Sequence, residues 1–260
     1  PVLRDPHTVA VLANGQTNSG ELFMVLEWLH GESLADRLVP HARAYEPLHT
    51  AMVLQIGLSV LKSLAEAHSH GLIHRDVKPD NIYFHRVGAG ELVKLIDFGL
   101  ARVAGSRLTL RGRALGTPAY MSPEQVVARP LDHRSDLYAL GCVLYECMTT
   151  EPPFVDAGGP DEVMRAHLHA LPTPLATRRP HADPALVAAI ERALQKDPEA
   201  RFADAAEMDA ALRLVKTNPR RTGRQDLAMS GPTVNIRPLR EGGVAPAELA
   251  EVGFSTLEDD

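Results

Sequence analysis

The sequence is short of cysteine, tryptophan and positive charge. Two cysteines occur among 260 residues, Cys142 and Cys147. Five residues apart in one apolar helical stretch, they do not share a helix face. They read as buried reduced thiols, which suits a reducing compartment rather than a disulfide scaffold, and cytoplasmic placement is expected. A net charge of −6 and a pI ≈ 6.1 argue against nucleic acid as the main partner, because a phosphate backbone needs a basic face. No apolar run reaches the ~18 residues of a membrane span. No secretory signal is visible, and there is no internal repeat. Pro1 opens the chain in place of methionine, so a fragment or processed product is expected, with membrane anchoring of a longer parent left open.

What is present falls into three zones. Residues 1 to 30 read as β-rich: Val9, Val11 and Leu12 form one apolar run, and Leu22 to Leu29 form another. The polar stretch from Asn14 to Gly20 between them is rich in turn residues, so the runs are expected to pair as an antiparallel hairpin. Alone, such a pair exposes an edge and an apolar face. Trp28, the single tryptophan, is expected to pack. Residues 31 to 216 read as mostly helical. Residues 217 to 260, rich in breakers and acidic at the end, read as a disordered tail or linker.

Local signals place several helices. Val53, Ile56, Val60, Leu64 and Ala67 recur at three- and four-residue steps on one face, and Gly71 supplies a stop. Arg134 to Thr149 is apolar on more than one side, which predicts a helix buried within a lobe. Asp183-Pro184 reads as an N-cap with proline in the first turn. Asp204 followed by Glu207 resembles a capping box. His68 and His70, like His167 and His169, lie two apart, face different ways and read as structural or surface residues rather than metal ligands.

The chemistry lies between the first long helix and the buried one. His74-Arg75-Asp76-Val77-Lys78-Pro79-Asp80-Asn81 precedes the apolar run Ile82-Tyr83-Phe84. A turn at Gly88 to Gly90 leads into Leu92-Val93-Lys94-Leu95-Ile96, which ends in Asp97-Phe98-Gly99. Two carboxylates and an amide therefore sit at the ends of paired short strands. Phosphoryl transfer needs such a set: one carboxylate to orient the attacking hydroxyl and take its proton, another with an amide oxygen to hold a metal ion.

These motifs resemble the eukaryotic-type protein kinases, closest in flavour to the bacterial Ser/Thr kinases. Phe23 to Gly31 is similar to the fifth strand and hinge, His74 to Asn81 to the catalytic loop, and Asp97-Phe98-Gly99 to the metal-binding motif. Gly116 to Glu124 is similar to the end of the activation segment, Ser135 to Gly141 to the central buried helix, and Lys196 to Phe202 to the late arginine motif. The resemblance covers about residues 5 to 215. It implies an α+β, protein-kinase-like fold, mainly the helical C-lobe (31 to 216) with a remnant of the β-rich N-lobe (1 to 30).

The resemblance also implies roles. Asp76 is the expected base, Lys78 the contact to the γ-phosphate, and Asn81 and Asp97 the ligands of Mg²⁺. Glu27 and Leu29 are expected to offer backbone groups to the adenine of ATP, with Leu26 behind it and Tyr83 beneath, where the family usually has a small aliphatic residue. Thr117 is expected to shape the pocket for Ser or Thr of protein substrates. Glu124 and Arg201 are expected to form a buried ion pair, and Asp136 to hold the catalytic-loop backbone. Arg75 is expected to receive a phosphate on the activation loop, at Thr109 first and Ser106 second.

Absences mark the N-terminal side. The family's Gly-rich loop, strand lysine and helix glutamate all precede the hinge. The first lysine here is Lys62, the only glycines before the hinge are Gly15 and Gly20, and the only glutamate there is Glu21. The expectation is a kinase whose N-lobe is required for activity, with these 260 residues inactive alone. The alternative is a non-catalytic binding or scaffold module built on the same lobe.

Overall fold

This computed structural model describes residues 3–98, 118–155 and 158–216. The two apolar runs near the N-terminus do pair, as β1 (Val11–Gln16) and β2 (Leu22–Leu26), antiparallel with an irregularity between Val11 and Ala13. The pairing is shorter than the sequence suggests. Val9 is buried and leaves the hairpin: its N–H donates to the Leu95 carbonyl at 3.1 Å, beside a parallel bridge from Thr8 to Leu95. The hairpin itself shows Leu12, Leu22, Phe23 and Val25 to solvent. Trp28, expected to pack, is 81% exposed. The chain has left β2 before it, and nothing in the described residues covers the indole.

A second sheet sits at the edge of the helical part. β3 (Gly31–Ser33), β4 (Ile82–Val87) and β5 (Gly90–Leu95) run antiparallel in that order. Ser33 then caps α1 (Leu34–Ala44) through a reciprocal box with Asp36. Arg37 on that helix stacks over the Phe84 ring at 3.7 Å and forks onto Glu91 of β5, which fixes α1 against the sheet.

The remaining elements are helical. α2 (Thr50–Ser69) buries Val53, Ile56, Val60, Leu64 and Ala67 completely, and Gly71 follows at φ +72°. By length and composition α2 is apolar enough to cross a membrane, with a mean hydropathy of 1.2. Gln55 and Lys62 interrupt it, so no uninterrupted apolar run of that length occurs there. Its buried face packs on β5 and on the helices named next, the profile of a core helix.

α3 (Pro123–Val126) precedes α4 (Arg134–Thr149), where 14 of 16 residues are buried, Cys142 and Cys147 among them as free thiols. α5 (Pro160–His169), α6 (Leu175–Arg178), α7 (Pro184–Ala193) and α8 (Ala205–Arg213) pack around them. Asp183 caps α7 as expected. Asp204 caps α8, but Glu207 reaches back to the Ala203 N–H rather than completing the box. Residues 217 to 260 lie outside the described residues.

Gly31 is the tightest backbone contact. It has φ +145°, and a Cβ there would lie 1.9 Å from the Phe84 carbonyl oxygen. Gly88, in the β4–β5 turn at φ +58°, has open space around it. We expect Gly31→Ala to cost more than about 2 kcal/mol and Gly88→Ala about 1 kcal/mol. Equal losses in urea unfolding would refute the close approach at Gly31.

Candidate active site

The catalytic-loop stretch leaves α2 through Gly71 and turns back along the N-terminal end of α4. The Asp136 carboxylate, 1% exposed, receives it. Oδ2 accepts the His74 N–H at 2.8 Å and Oδ1 accepts the Arg75 N–H at 2.8 Å. His68 Nε2 donates to the same Oδ2 at 2.8 Å. Three bonds to one buried anion satisfy it and fix the loop; hydrogen bonds to a charged group contribute about 1.5–3 kcal/mol each. Arg75 is held at φ +70°, a left-handed conformation rare for a non-glycine residue.

His74 links this loop to the strand that carries Asp97. Its Nε2–H donates to the Ile96 carbonyl at 2.9 Å, so its Nδ1 is the acceptor facing the Asp76 N–H at 3.3 Å. Burial pushes its pKa down, which keeps the ring neutral in this tautomer. The Phe98 ring meets it edge-on at 4.7 Å. The Ile96 N–H in turn donates to the Asn81 carbonyl at 2.9 Å. One imidazole and one peptide therefore set the spacing of the two loops.

Asp76, Lys78 and Asn81 meet directly. Lys78 Nζ lies 2.8 Å from Asp76 Oδ2, and Asn81 Nδ2 donates to the Asp76 carbonyl at 2.8 Å and to Oδ2 at 3.1 Å. Asn81 Oδ1 and the exposed Asp97 carboxylate make no hydrogen bond among the described residues. An amide oxygen and a carboxylate are hard donors of the kind that a small divalent cation takes, so these residues fit such an ion. No cluster of three or more His, Cys, Asp or Glu side chains suited to a metal occurs among the described residues.

The hinge leads away from β2. Leu26, Glu27 and Leu29 are half-buried. The Glu27 N–H is spent on the Ala10 carbonyl, and its side chain accepts from the Ala10 N–H and from Lys94 Nζ. Lys94, 6% exposed, also donates to the Thr8 carbonyl at 3.2 Å. The Glu27 carbonyl and the Leu29 N–H have no partner among the described residues. Tyr83 is half-buried on β4, in register with Ser33 and Lys94.

Beneath the site, Arg201 and Glu124 pair at 2.7 and 2.9 Å in a bidentate fork. Ser135 Oγ–H adds a bond to Glu124 at 2.7 Å. The remaining Arg201 donors go to the carbonyls of Gln195, Lys196 and Arg134, so all its N–H groups are used. Burial pushes the Glu124 carboxyl up, but the bonds from Arg201 and Ser135 outweigh it and hold it below its ordinary value. Removing one partner of such a buried pair costs roughly 3–5 kcal/mol. Of the expected site residues, Thr117, Thr109 and Ser106 lie outside the described residues, as does Gly99. Lys94 and Gln125 hold the site and carry no signal of their own in the sequence, and His68, expected as a structural or surface residue, holds it too. His167 is a core histidine, fully buried and bonded to the Tyr138 hydroxyl at 2.9 Å.

A loop bearing Asp76, Lys78 and Asn81, set by a buried helix beside an Asp-Phe-Gly strand end, defines the protein kinase class. The chain belongs to the protein kinase domain family, whose model matches residues 3–212. It is 38% identical over 253 residues to the serine/threonine-protein kinase pkn3 of Myxococcus xanthus, covering 94% of this chain and 45% of that protein. To the serine/threonine-protein kinase PknB of Mycolicibacterium smegmatis it is 40% identical over 218 residues, 81% of this chain and 33% of that protein. The chain thus spans less than half the length of these relatives. The solved kinase domain of Mycobacterium tuberculosis PknI superposes with a TM-score of 0.63 at 26% identity, covering 82% of this chain and 73% of that one. Membership implies ATP and a divalent cation.

A half-buried carboxylate gives this lobe a pH signature. Glu146 on α4 accepts the Tyr120 hydroxyl at 2.6 Å, and burial raises its pKa from 4.5 to about 7. Between those values the folded chain binds a proton that the unfolded chain has lost, so stability falls as pH rises through this window. Glu146→Gln keeps an acceptor for Tyr120. It should flatten that decline and raise stability at pH 8 by at most about 3 kcal/mol. A variant that melts lower at pH 8 and keeps the slope would show that the carboxyl is not the cause.

Proposed function

We propose that the protein is an ATP-dependent Ser/Thr kinase acting on protein substrates. The observation that carries this reading is the cluster of Asp76, Lys78 and Asn81, with Asp97 held beside it through Ile96. In this reading the substrate hydroxyl oxygen bonds to the γ-phosphorus, the bond to the β–γ bridging oxygen breaks, and ADP leaves. Asp76 orients the hydroxyl and takes its proton. Asn81, bonded to Asp76 through its amide nitrogen, holds that carboxylate, which leaves its own oxygen available as a metal ligand. Lys78 shares Asp76 with Asn81 and carries the positive charge that meets the γ-phosphate. Mg²⁺, held by Asn81 and Asp97, would neutralise charge on the phosphates.

The Glu27 carbonyl and the Leu29 N–H suit the donor and acceptor edge of adenine, with Leu26 behind it and Tyr83 beneath. The Glu124–Arg201 pair anchors the end of the activation segment, and Thr117, outside the described residues, would shape the acceptor pocket. Regulation through Arg75 would use Thr109 or Ser106. Residues 1–61 contain no lysine to grip the α- and β-phosphates, so these 260 residues alone are expected to be nearly inactive.

The test uses the protein as its gene encodes it, with any sequence preceding Pro1. Radiolabelled ATP, Mg²⁺ and a generic protein substrate should give phosphoserine or phosphothreonine. Asp76→Asn should lower the rate by on the order of 10²-fold or more without lowering the melting temperature. An Asp76→Asn variant as active as the parent would overturn the assignment. A parent that transfers no phosphate would favour the non-catalytic module.

A further inference from the structure

The peptide that joins Arg75 to Asp76 carries the expected base, and it begins from an unfavourable backbone conformation, φ +70° at Arg75. Such a conformation persists only where neighbours over-determine it. On the N-terminal side of Arg75, Asp136 Oδ1 holds the N–H. On the C-terminal side, the Arg75 carbonyl accepts one hydrogen bond among the described residues, from Gln125 Nε2 at 2.8 Å. Because the peptide is planar, fixing that oxygen fixes the plane from which the Asp76 side chain departs. The N–H of the same peptide faces His74 Nδ1 at 3.3 Å, a long contact that leaves Gln125 the shorter restraint.

Gln125 is itself locked. Its Oε1 accepts the Ser122 N–H at 3.0 Å and the Ser122 hydroxyl at 3.2 Å, while its own N–H donates to Ser122 Oγ at 3.4 Å. These bonds assign the amide: the oxygen belongs to Ser122, and the NH₂ is left for Arg75. Gln125 also follows Glu124, which Arg201 clamps below. A continuous set of contacts thus runs from the buried ion pair through α3 to the residue before the base.

We propose that Gln125 is a positioning residue for phosphoryl transfer, coupling the exit of the activation segment to Asp76 through the Arg75 carbonyl. This rests on the kinase reading above. Gln125 touches no substrate; it acts through the loop.

The test exploits the two ends of the amide. Gln125→Glu keeps the oxygen that caps α3 and removes the N–H that Arg75 uses, whereas Gln125→Ala removes both. In the gene-encoded protein, Gln125→Glu should lower kcat on the order of 10-fold while KM for ATP stays within about 2-fold. Its melting temperature should match the parent's, and amide exchange should quicken at Arg75 and Asp76 but not at Ser122 or Gln125. Gln125→Ala should show the same loss of kcat with faster exchange at both places. An unchanged kcat in Gln125→Glu overturns the proposal, and so does a loss that merely tracks a lower melting temperature. If the parent transfers no phosphate, the kinase reading fails, and the exchange experiment alone decides: unchanged exchange at Arg75 and Asp76 means that Gln125 does not hold the loop.

Discussion

The Asp136 carboxylate, at the N-terminal end of the central buried helix, accepts hydrogen bonds from two consecutive backbone N–H groups of the catalytic-loop stretch and from His68. The helix under it is the most deeply buried element described, packed by α2, α6 and α7. A rigid scaffold therefore presents one anion, and the irregular loop is folded around that anion. The loop's unfavourable step at Arg75 is held by it, while the Ile96 carbonyl and N–H set the tautomer of His74 and the spacing to Asp97. Without the carboxylate, the buried His74 N–H would lose its partner, at about 1–3 kcal/mol, and the part-buried Arg75 N–H would lose its own at a smaller cost.

A second anchor works at a different level. The Glu124–Arg201 fork ties α3 to the segment after α7 and satisfies every donor of a fully buried arginine. Buried pairs add little over a well-packed apolar core, but they impose one geometry, because either charge left alone is costly. Here the geometry that is imposed sets the helix bearing Gln125, and so reaches the same loop from the opposite side. Asp136 holds the loop by its N–H groups and α3 holds it by a carbonyl.

Contiguous features were legible in the sequence. The catalytic loop, the Asp-Phe-Gly strand end, the α4 helix and the Asp183 cap each lie within a few residues, where periodicity and local hydrogen bonding decide the outcome. The residues that hold the site were not legible. His68 meets a partner 68 residues on, Lys94 one 67 residues back and Gln125 one 50 residues back. No spacing rule encodes such pairs. The apolar run of Val9 continues into β1 and suggests the hairpin, whereas its hydrogen bond goes to Leu95. Trp28 is expected to pack because it sits at the hinge, but the hinge leaves it exposed to solvent.

If one buried carboxylate organises the site, a high-resolution crystal structure of Asp136→Ala tests that most directly. The account predicts that α4 stays in place while Arg75 leaves the left-handed region and Asp76 moves away from Asn81. A variant whose residues 74 to 81 superpose on the parent within coordinate error, with Arg75 still at positive φ, would contradict it.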